Sequence, residues 1–156
     1  MGMDKWSLWH VGLSVNSIEK SKEFYLSLGG TADDSPPIIL DTSKYEELET
    51  YGRKGAPPWS IKVKFIQMGP LMVELAEPIE GSSYVKQHLE DHGEGADHFG
   101  YLVDDIESEL KELEDRGARV LYHLNGVYAY LDTKEVGGML VEIIDKSLDL
   151  SQLING

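Results

Sequence analysis

The sequence predicts an α+β fold made of two tandem βαβββ modules. The first observation is a repeat, because HVGLSVNSIEKSKEFYLSLGG (residues 10–30) aligns without a gap on HFGYLVDDIESELKELEDRGA (residues 98–118). The second is that LMVEL (71–75) recurs as MLVEI (139–143) near the end of the other half. The third is the apolar periodicity. In each half, segments with the alternating pattern of strands lie on both sides of one segment with helical periodicity. A repeat at both ends of each half indicates two copies of one folding unit.

In the first module, WSLWHVGLSV (6–15) is a predicted strand because it is rich in β-branched and aromatic residues. Residues 16–19 resemble a capping box that opens a helix to about residue 28, and Gly29 and Gly30 end it. The segment at 36–40 is a short strand candidate, and 43–52 is a short helix or a loop. IKVKFIQM (61–68) and LMVELAE (71–77) read as a hairpin.

The second module repeats this order after a linker that carries a short helix at about residues 82–91. The predicted strand HFGYLV (98–103) is followed by a capped helix that ends at Gly117, and then by ARVLYH, VYAYLD and MLVEIID. We expect a single domain over residues 1–156, with module one at about 6–78, the linker at 79–96, module two at about 97–146 and a C-terminal tail at 147–156.

Composition narrows the classes of partner. Fourteen basic and 28 acidic residues give a net charge of −14, which disfavours binding to a phosphate backbone. No apolar run approaches the roughly 20 residues that span a bilayer, and the N-terminus lacks a secretory signal pattern. Cysteine is absent, so thiolate ligands and disulfides are excluded. We expect a cytoplasmic protein with a small-molecule substrate and no nucleic-acid or membrane partner.

Two histidines and two glutamates occupy matching positions in the two halves. Strand alternation places each on the face opposite its bulky apolar neighbours, and we expect Trp9 to point away from His10. A carboxylate inside an apolar strand is costly unless it is paired or binds a metal. The sequence therefore predicts one divalent cation, of which Zn, Ni, Co, Mn and Fe all suit these ligand types. The predicted ligands are His10, Glu74, His98 and Glu142.

Four protein ligands in octahedral geometry would leave two positions open for a substrate, whereas a closed tetrahedral zinc site would leave none. The remaining histidines lack the repetition, so we interpret His88, His92 and His123 as surface or linker residues.

These segments resemble the vicinal-oxygen-chelate superfamily, which includes glyoxalase I, methylmalonyl-CoA epimerase, extradiol dioxygenases and drug-resistance proteins. The resemblance covers residues 6–145 and implies a cupped, partly closed mixed sheet around a metal site. VELAEP (73–78), GADHFGYLVDDIE (95–107) and EVGGMLVEI (135–143) are most similar to methylmalonyl-CoA epimerases. Such epimerases usually carry a catalytic glutamate at the position that falls on Pro58 or Trp59 here, and neither residue is a base.

The predicted chemistry is proton transfer next to a carbonyl that the cation polarises. Glu142 is the first candidate for the base. The second acid is then Glu74, water, or one of the carboxylates in the segment 41–54, namely Asp41, Glu46 and Glu47.

Four further residues are candidate substrate contacts. Lys62 and Lys64 would face the cup if the apolar side of their strand packs beneath a helix, and solvated edge-strand lysines are the alternative. Tyr128 and Tyr130 share one strand face and either line the pocket or pack outward.

The resemblance implies a metal-dependent isomerase, epimerase or lyase that acts on a small α-oxo or acyl-thioester substrate. The alternatives are a drug- or metabolite-binding resistance protein of the same fold and a glyoxalase I-type lactoylglutathione lyase. A homodimer is the assembly that the resemblance implies.

Overall fold

The computed structural model describes residues 3–148, and the last eight residues of the predicted tail lie outside this range. Three α-helices accompany ten strands of one sheet. The helices are α1 (Ile18–Ser27), α2 (Tyr84–His92) and α3 (Ile106–Asp115). The strands are β1 (Ser7–Ser14), β2 (Ile38–Asp41), β3 (Glu49–Thr50), β4 (Arg53–Lys54), β5 (Ser60–Met68), β6 (Leu71–Glu80), β7 (Gly95–Val103), β8 (Val120–Leu124), β9 (Tyr128–Leu131) and β10 (Leu140–Asp145).

The strand order reflects the duplication. The sheet runs β2-β5-β6-β1-β7-β10-β9-β8-β3-β4, so four strands of module one are followed by the four equivalent strands of module two in mirrored order, and β3 and β4 of module one complete the far end. Strands β1 and β7 pair antiparallel at the centre, and each has a parallel partner from its own module, β6 or β10. The sheet does not close on itself. The predicted α+β fold with two βαβββ modules is confirmed.

Local sequence signals set the limits of the first helix. The Ser17 side chain accepts a hydrogen bond from the backbone N–H of Lys20, which caps the N-terminus of α1. Gly29 follows the C-terminal cap with φ of 99°, a left-handed conformation that favours glycine. Helix α1 packs on β5 and β6, where Ile18 joins a buried cluster with Ile66 and Leu75.

Segment 43–52, for which the sequence predicts a short helix or a loop, forms part of a connection between the modules. A 3-10 turn at Thr42–Lys44 precedes strands β3 and β4, which pair as a hairpin. Strand β3 then pairs antiparallel with β8, so residues of module one extend the sheet of module two. No helix in the range 3–148 is long and apolar enough to cross a membrane.

Two β-bulges interrupt the central β1–β7 pair at equivalent places in the repeat. Leu8 pairs with Tyr101 and His10 with Gly100, which leaves Trp9 as the extra residue of β1. On the other side of the pair, Asp97 is the extra residue of β7, immediately before His98. A bulge locally changes the direction of side chains. Each bulge therefore redirects the side chain that precedes a central histidine.

Candidate metal centre and its cavity

The four repeated side chains meet at the middle of the sheet. The order of their strands is β6-β1-β7-β10, so the two histidines are central and one glutamate flanks them on each side. The Nε2 atoms of His10 and His98 lie 2.9 Å apart. One Glu142 oxygen lies 3.2 Å from His10 Nε2 and 3.5 Å from His98 Nε2. The Glu74 oxygens lie 3.5 Å and 3.7 Å from the same two nitrogens.

These distances fit a shared cation. Ligand atoms held about 2.0–2.1 Å from one ion stand roughly 2.8–3.4 Å from their neighbours in octahedral or tetrahedral geometry. The ligand atoms of His10, His98 and Glu142 all lie within 4.8 Å of one another. His10 and His98 are fully buried, and both glutamates are 7 % exposed. Buried Glu74 Oε1 and Glu142 Oε2 have no partner in hydrogen-bonding geometry, which a cation would remedy.

Two glycines make the space for the histidine rings, and they do so reciprocally. A Cβ atom on Gly12 would lie 1.9 Å from Cε1 of His98, and one on Gly100 would lie 2.2 Å from Cε1 of His10. Such distances are far inside van der Waals contact. Each module therefore supplies one histidine and the gap that accepts the histidine of the other module.

The two histidines differ in what holds the remaining ring nitrogen. His98 Nδ1 is hydrogen-bonded to the carboxylate of bulge residue Asp97, which is 2 % exposed and also accepts a hydrogen bond from the Ser14 hydroxyl. His10 Nδ1 is buried and has no hydrogen-bond partner. A carboxylate on Nδ1 fixes the tautomer that presents Nε2 to a metal. Sequence reasoning did not identify Asp97 as part of the site.

We expect Asp97→Asn to weaken divalent-cation binding about 10- to 100-fold, because the amide keeps the shape but removes the charge that orients His98. Titration of the metal-free protein with Co²⁺, followed by visible absorption, measures this change. Ser14→Ala is the matched control, since it removes only the outer hydrogen bond to Asp97 and should cost less. Equal affinities for the wild type and Asp97→Asn would contradict the orienting role.

Without a cation, the charges of the four side chains compensate one another only in part. Burial raises the pKa of Glu74 above its usual range. Burial also acts to raise the pKa of Glu142, but interaction with His10 and His98 outweighs it and lowers that pKa to about 2. For His98, burial acts to lower the pKa, but the hydrogen bond with Asp97 and the interaction with Glu142 raise it well above the ordinary value. Without a cation, protons on Glu74 and His98 thus supply part of the charge compensation that a bound cation would provide.

A cavity of about 60 Å³ opens directly onto the centre, with His10, Glu74 and Glu142 in its wall. The rest of the wall is aromatic and aliphatic, and no lysine or arginine in residues 3–148 contributes to it. Trp9 belongs to the wall and stacks on Phe65 with ring centroids 5.2 Å apart. The prediction that Trp9 points away from His10 is therefore wrong, because the bulge at Trp9 breaks the strand alternation.

The expectation that Lys62 and Lys64 face the cup is also wrong. Phe65 pairs with Glu74 across β5 and β6, so Phe65 and its alternate neighbours share the cavity face. The lysines lie on the opposite face. Lys62 Nζ donates to Glu77 at 2.8 Å, and buried Lys64 Nζ donates to Asp33 at 2.6 Å.

The other predicted residues have mixed positions. Tyr128 and Tyr130 lie in the cavity wall, and their contact with a substrate stays a prediction. None of the three carboxylates proposed from segment 41–54 lines the cavity: Asp41 caps a 3-10 turn, Glu47 pairs with Lys54, and Glu46 is exposed.

Of Pro58 and Trp59, the two residues on which the resemblance places a catalytic glutamate, Trp59 lines the cavity. Among the three unrepeated histidines, His92 is exposed and His123 pairs with Glu107, but His88 is buried in α2 rather than at the surface. Tyr84 also lines the cavity, and no sequence signal predicted it, because it belongs to the linker helix outside the repeat.

The duplicated βαβββ sheet places two imidazoles and two carboxylates where its paired modules join, and such a set could hold a metal ion. The chain belongs to the Glyoxalase/Bleomycin resistance protein/Dioxygenase superfamily, whose family model matches residues 9–133. This match confirms the family that the sequence resembles.

The chain is similar to several known proteins over most of its length. It is 27% identical over 146 residues to the uncharacterized protein YqjC of Bacillus subtilis (strain 168), covering 90% of this chain and 92% of that protein. It is 25% identical over 141 residues to mitochondrial methylmalonyl-CoA epimerase of Bos taurus, covering 86% and 71%. The crystal structure of methylmalonyl-CoA epimerase from Mycobacterium tuberculosis superposes with a TM-score of 0.69 at 19% identity, covering 93% and 91%, which shows the shared fold.

Proposed function

We propose that this protein is a divalent-metal-dependent isomerase, epimerase or lyase that moves a proton next to the carbonyl of a small α-oxo or acyl-thioester substrate. The observation that carries the proposal is the set of buried glutamate oxygens without hydrogen-bond partners beside two convergent imidazoles, at the base of an apolar cavity. His10, Glu74, His98 and Glu142 are the proposed ligands.

When bound, a divalent cation polarises a carbonyl oxygen and stabilises the negative charge that develops there. Glu142 is the proposed base that takes the proton from the adjacent carbon. Glu74 is the proposed acid that returns a proton, since the carboxylates of segment 41–54 are outside the cavity wall. Strands β6 and β10 flank the two histidine strands, so these two carboxylates approach the centre from opposite sides. That arrangement suits removal of a proton from one face and return on the other.

The volume of the cavity and the residues in its wall fit a small reacting part of the substrate. About 60 Å³ accommodates only a few heavy atoms, since one water needs roughly 10–15 Å³ on such a measure. The rest of a larger substrate such as a thioester carrier would extend out of the cavity. The similarity to methylmalonyl-CoA epimerases supports an acyl thioester as the first substrate to test.

Cation binding should raise the thermal stability of the protein. Saturation at 100 times the dissociation constant contributes about 2.7 kcal/mol, which corresponds to roughly 5–10 °C for a chain of this size. Differential scanning fluorimetry with Zn²⁺, Ni²⁺, Co²⁺ and Mn²⁺ measures the shift, and elemental analysis should give one ion per chain. The double variant His10→Ala with His98→Ala should show no shift. An equal shift in that variant would place the cation elsewhere.

The catalytic part of the proposal is tested by proton exchange. Metal-loaded protein in deuterated solvent should exchange the α-proton of methylmalonyl-CoA or of a hemithioacetal, which nuclear magnetic resonance follows directly. The hemithioacetal arm also tests the lactoylglutathione lyase alternative. Cation binding without exchange on any α-oxo or thioester compound would overturn the assignment as a proton-transfer enzyme.

A second candidate is a binding protein that sequesters a small aromatic molecule. The stacked Trp9 and Phe65 rings and the Trp59 indole in the cavity wall favour it, because aromatic faces bind planar ligands. Micromolar binding of an aromatic compound in the cavity, together with failure of proton exchange, would favour sequestration over catalysis.

A further inference from the structure

A pair of tyrosine hydroxyls lies beside the metal centre. Tyr84 is the first residue of α2, and Tyr130 lies in β9. Their hydroxyl oxygens are 3.1 Å apart and hydrogen-bonded, and the two side chains are almost fully buried. The pair joins the linker helix to the second module.

The pair is adjacent to two of the proposed ligands. The rings of Tyr84 and Tyr130 lie 5.8 Å and 5.4 Å from the His98 ring, measured between centroids. Tyr130 is the direct cross-strand partner of Glu142, so their side chains share one face of the sheet. Both tyrosines line the same cavity as the metal centre.

The two hydroxyl groups together have one more O–H donor than the hydrogen bond between them uses. Two phenols carry two O–H groups, and the bond between them uses one. Within residues 3–148, neither hydroxyl makes another hydrogen bond, so one O–H is left without an acceptor. A buried donor in that state costs about 1–3 kcal/mol. An ordinary phenol, with a pKa of about 10, is protonated at neutral pH, so the group is a donor.

We infer that the Tyr84–Tyr130 pair binds an uncharged oxygen of the substrate, next to the carbonyl that reacts. This inference rests on the proposed function and narrows its substrate class to compounds with a second oxygen acceptor, a carbonyl or a hydroxyl, near the reacting carbon. A substrate with an alkyl group in that place leaves the donor unpaired, and sites built around such a donor discriminate strongly against it. A carboxylate there is disfavoured by Glu74 and Glu142, so of the two test substrates the hemithioacetal, with its hydroxyl, fits the pair better than methylmalonyl-CoA does.

Acetohydroxamate is a suitable probe because it is small and carries two neighbouring oxygens. Its dissociation constant is measured on Co²⁺-loaded protein from the visible spectrum and on metal-free protein by calorimetry. We expect the double variant Tyr84→Phe with Tyr130→Phe to weaken binding about 10-fold in the loaded form, the equivalent of one hydrogen bond, because either single variant still keeps one O–H that can donate. The Co²⁺ dissociation constant should stay within about twofold of the wild type, because neither phenol is a proposed ligand.

Tyr122→Phe is the matched control. Tyr122 packs against both tyrosines but does not line the cavity. This variant should lose thermal stability like the double variant but keep the probe affinity of the wild type.

The outcomes separate the two proposals. Unchanged probe affinity in the double variant Tyr84→Phe with Tyr130→Phe means that the pair only packs, which overturns the inference. Failure of the wild type to bind Co²⁺ overturns the proposed function, and the pair is then judged on the metal-free protein. If the double variant binds the probe more weakly than the wild type when both are metal-free, the donor role is supported. If the double variant and the wild type bind it equally, or if neither binds it, the inference is overturned.

Discussion

Adding a single methyl group at Gly100 or Gly12 should abolish useful cation binding. The new Cβ atom would lie 2.2 Å from the His10 ring or 1.9 Å from the His98 ring, so the ring has to leave its position. Displacing a ligand should weaken binding by more than the roughly 100-fold that follows loss of an outer-shell partner. Overpacking of a buried site also costs about 1–3 kcal/mol of folding free energy. Co²⁺ titration and chemical denaturation of Gly12→Ala and Gly100→Ala measure both effects.

Gly126→Ala separates damage to the site from general destabilisation. Gly126 has φ of 69°, so alanine is strained there, but no atom lies within 4 Å of the added Cβ and the position is in the β8–β9 turn. It should lower stability and leave cation affinity unchanged. Wild-type affinity in Gly12→Ala and Gly100→Ala would show that the rings do not occupy these gaps in solution.

Glu142→Gln should lower the rate of substrate proton exchange by about 100- to 10,000-fold, the usual contribution of a positioned general base. The amide has the shape of the carboxylate but accepts no proton. Glu74→Gln should retain more exchange than Glu142→Gln but lose turnover, since Glu74 is the proposed group that returns the proton. Exchange into deuterated solvent and product formation are measured in parallel, at cation concentrations that saturate each variant.

Glu77→Gln is the matched control for both substitutions. Glu77 lies on the same strand as Glu74 but pairs with Lys62 on the face away from the cavity. Its exchange rate should equal that of the wild type. Full exchange activity in Glu142→Gln would exclude Glu142 as the base and leave Glu74 as the carboxylate to consider.

The duplication made most of the architecture predictable. An ungapped repeat beginning at His10 and His98 predicted two equal modules, and the helix caps and hairpin turn predicted the element limits closely. The same repeat predicted that four polar side chains would meet, because equivalent positions of paired modules lie near one axis. Their convergence follows from the strand order, in which the modules join at β1 and β7.

The bulges were not predictable from alternation. A strand pattern assumes one residue opposite one residue, and it fails at Trp9 and Asp97, where the ladder accommodates an extra residue. These two positions are equivalent in the repeat but carry an indole and a carboxylate. The duplicated backbone is therefore symmetric, whereas the environment of each histidine is not.

The error for Lys62 and Lys64 has a different origin. The lysines would face the cup only if the apolar side of β5 packed beneath a helix, but the interior of the cup is itself apolar and takes Ile61, Val63 and Phe65. The pairing of Phe65 with Glu74 determines the face, because directly opposed residues in an antiparallel pair point the same way.

The hairpin of β3 and β4 also protects the protein from unwanted self-association. Without it, β8 would present five residues of unpaired backbone at the end of the sheet, which invites strands of other molecules. The terminal strand of the described sheet is instead β4, whose two residues are the exposed, positively charged Arg53 and Lys54. Short, charged strands are poor templates for edge-to-edge pairing. The β3–β4 hairpin, which breaks the twofold symmetry of the two modules, thus places a short, charged strand at this end of the described sheet.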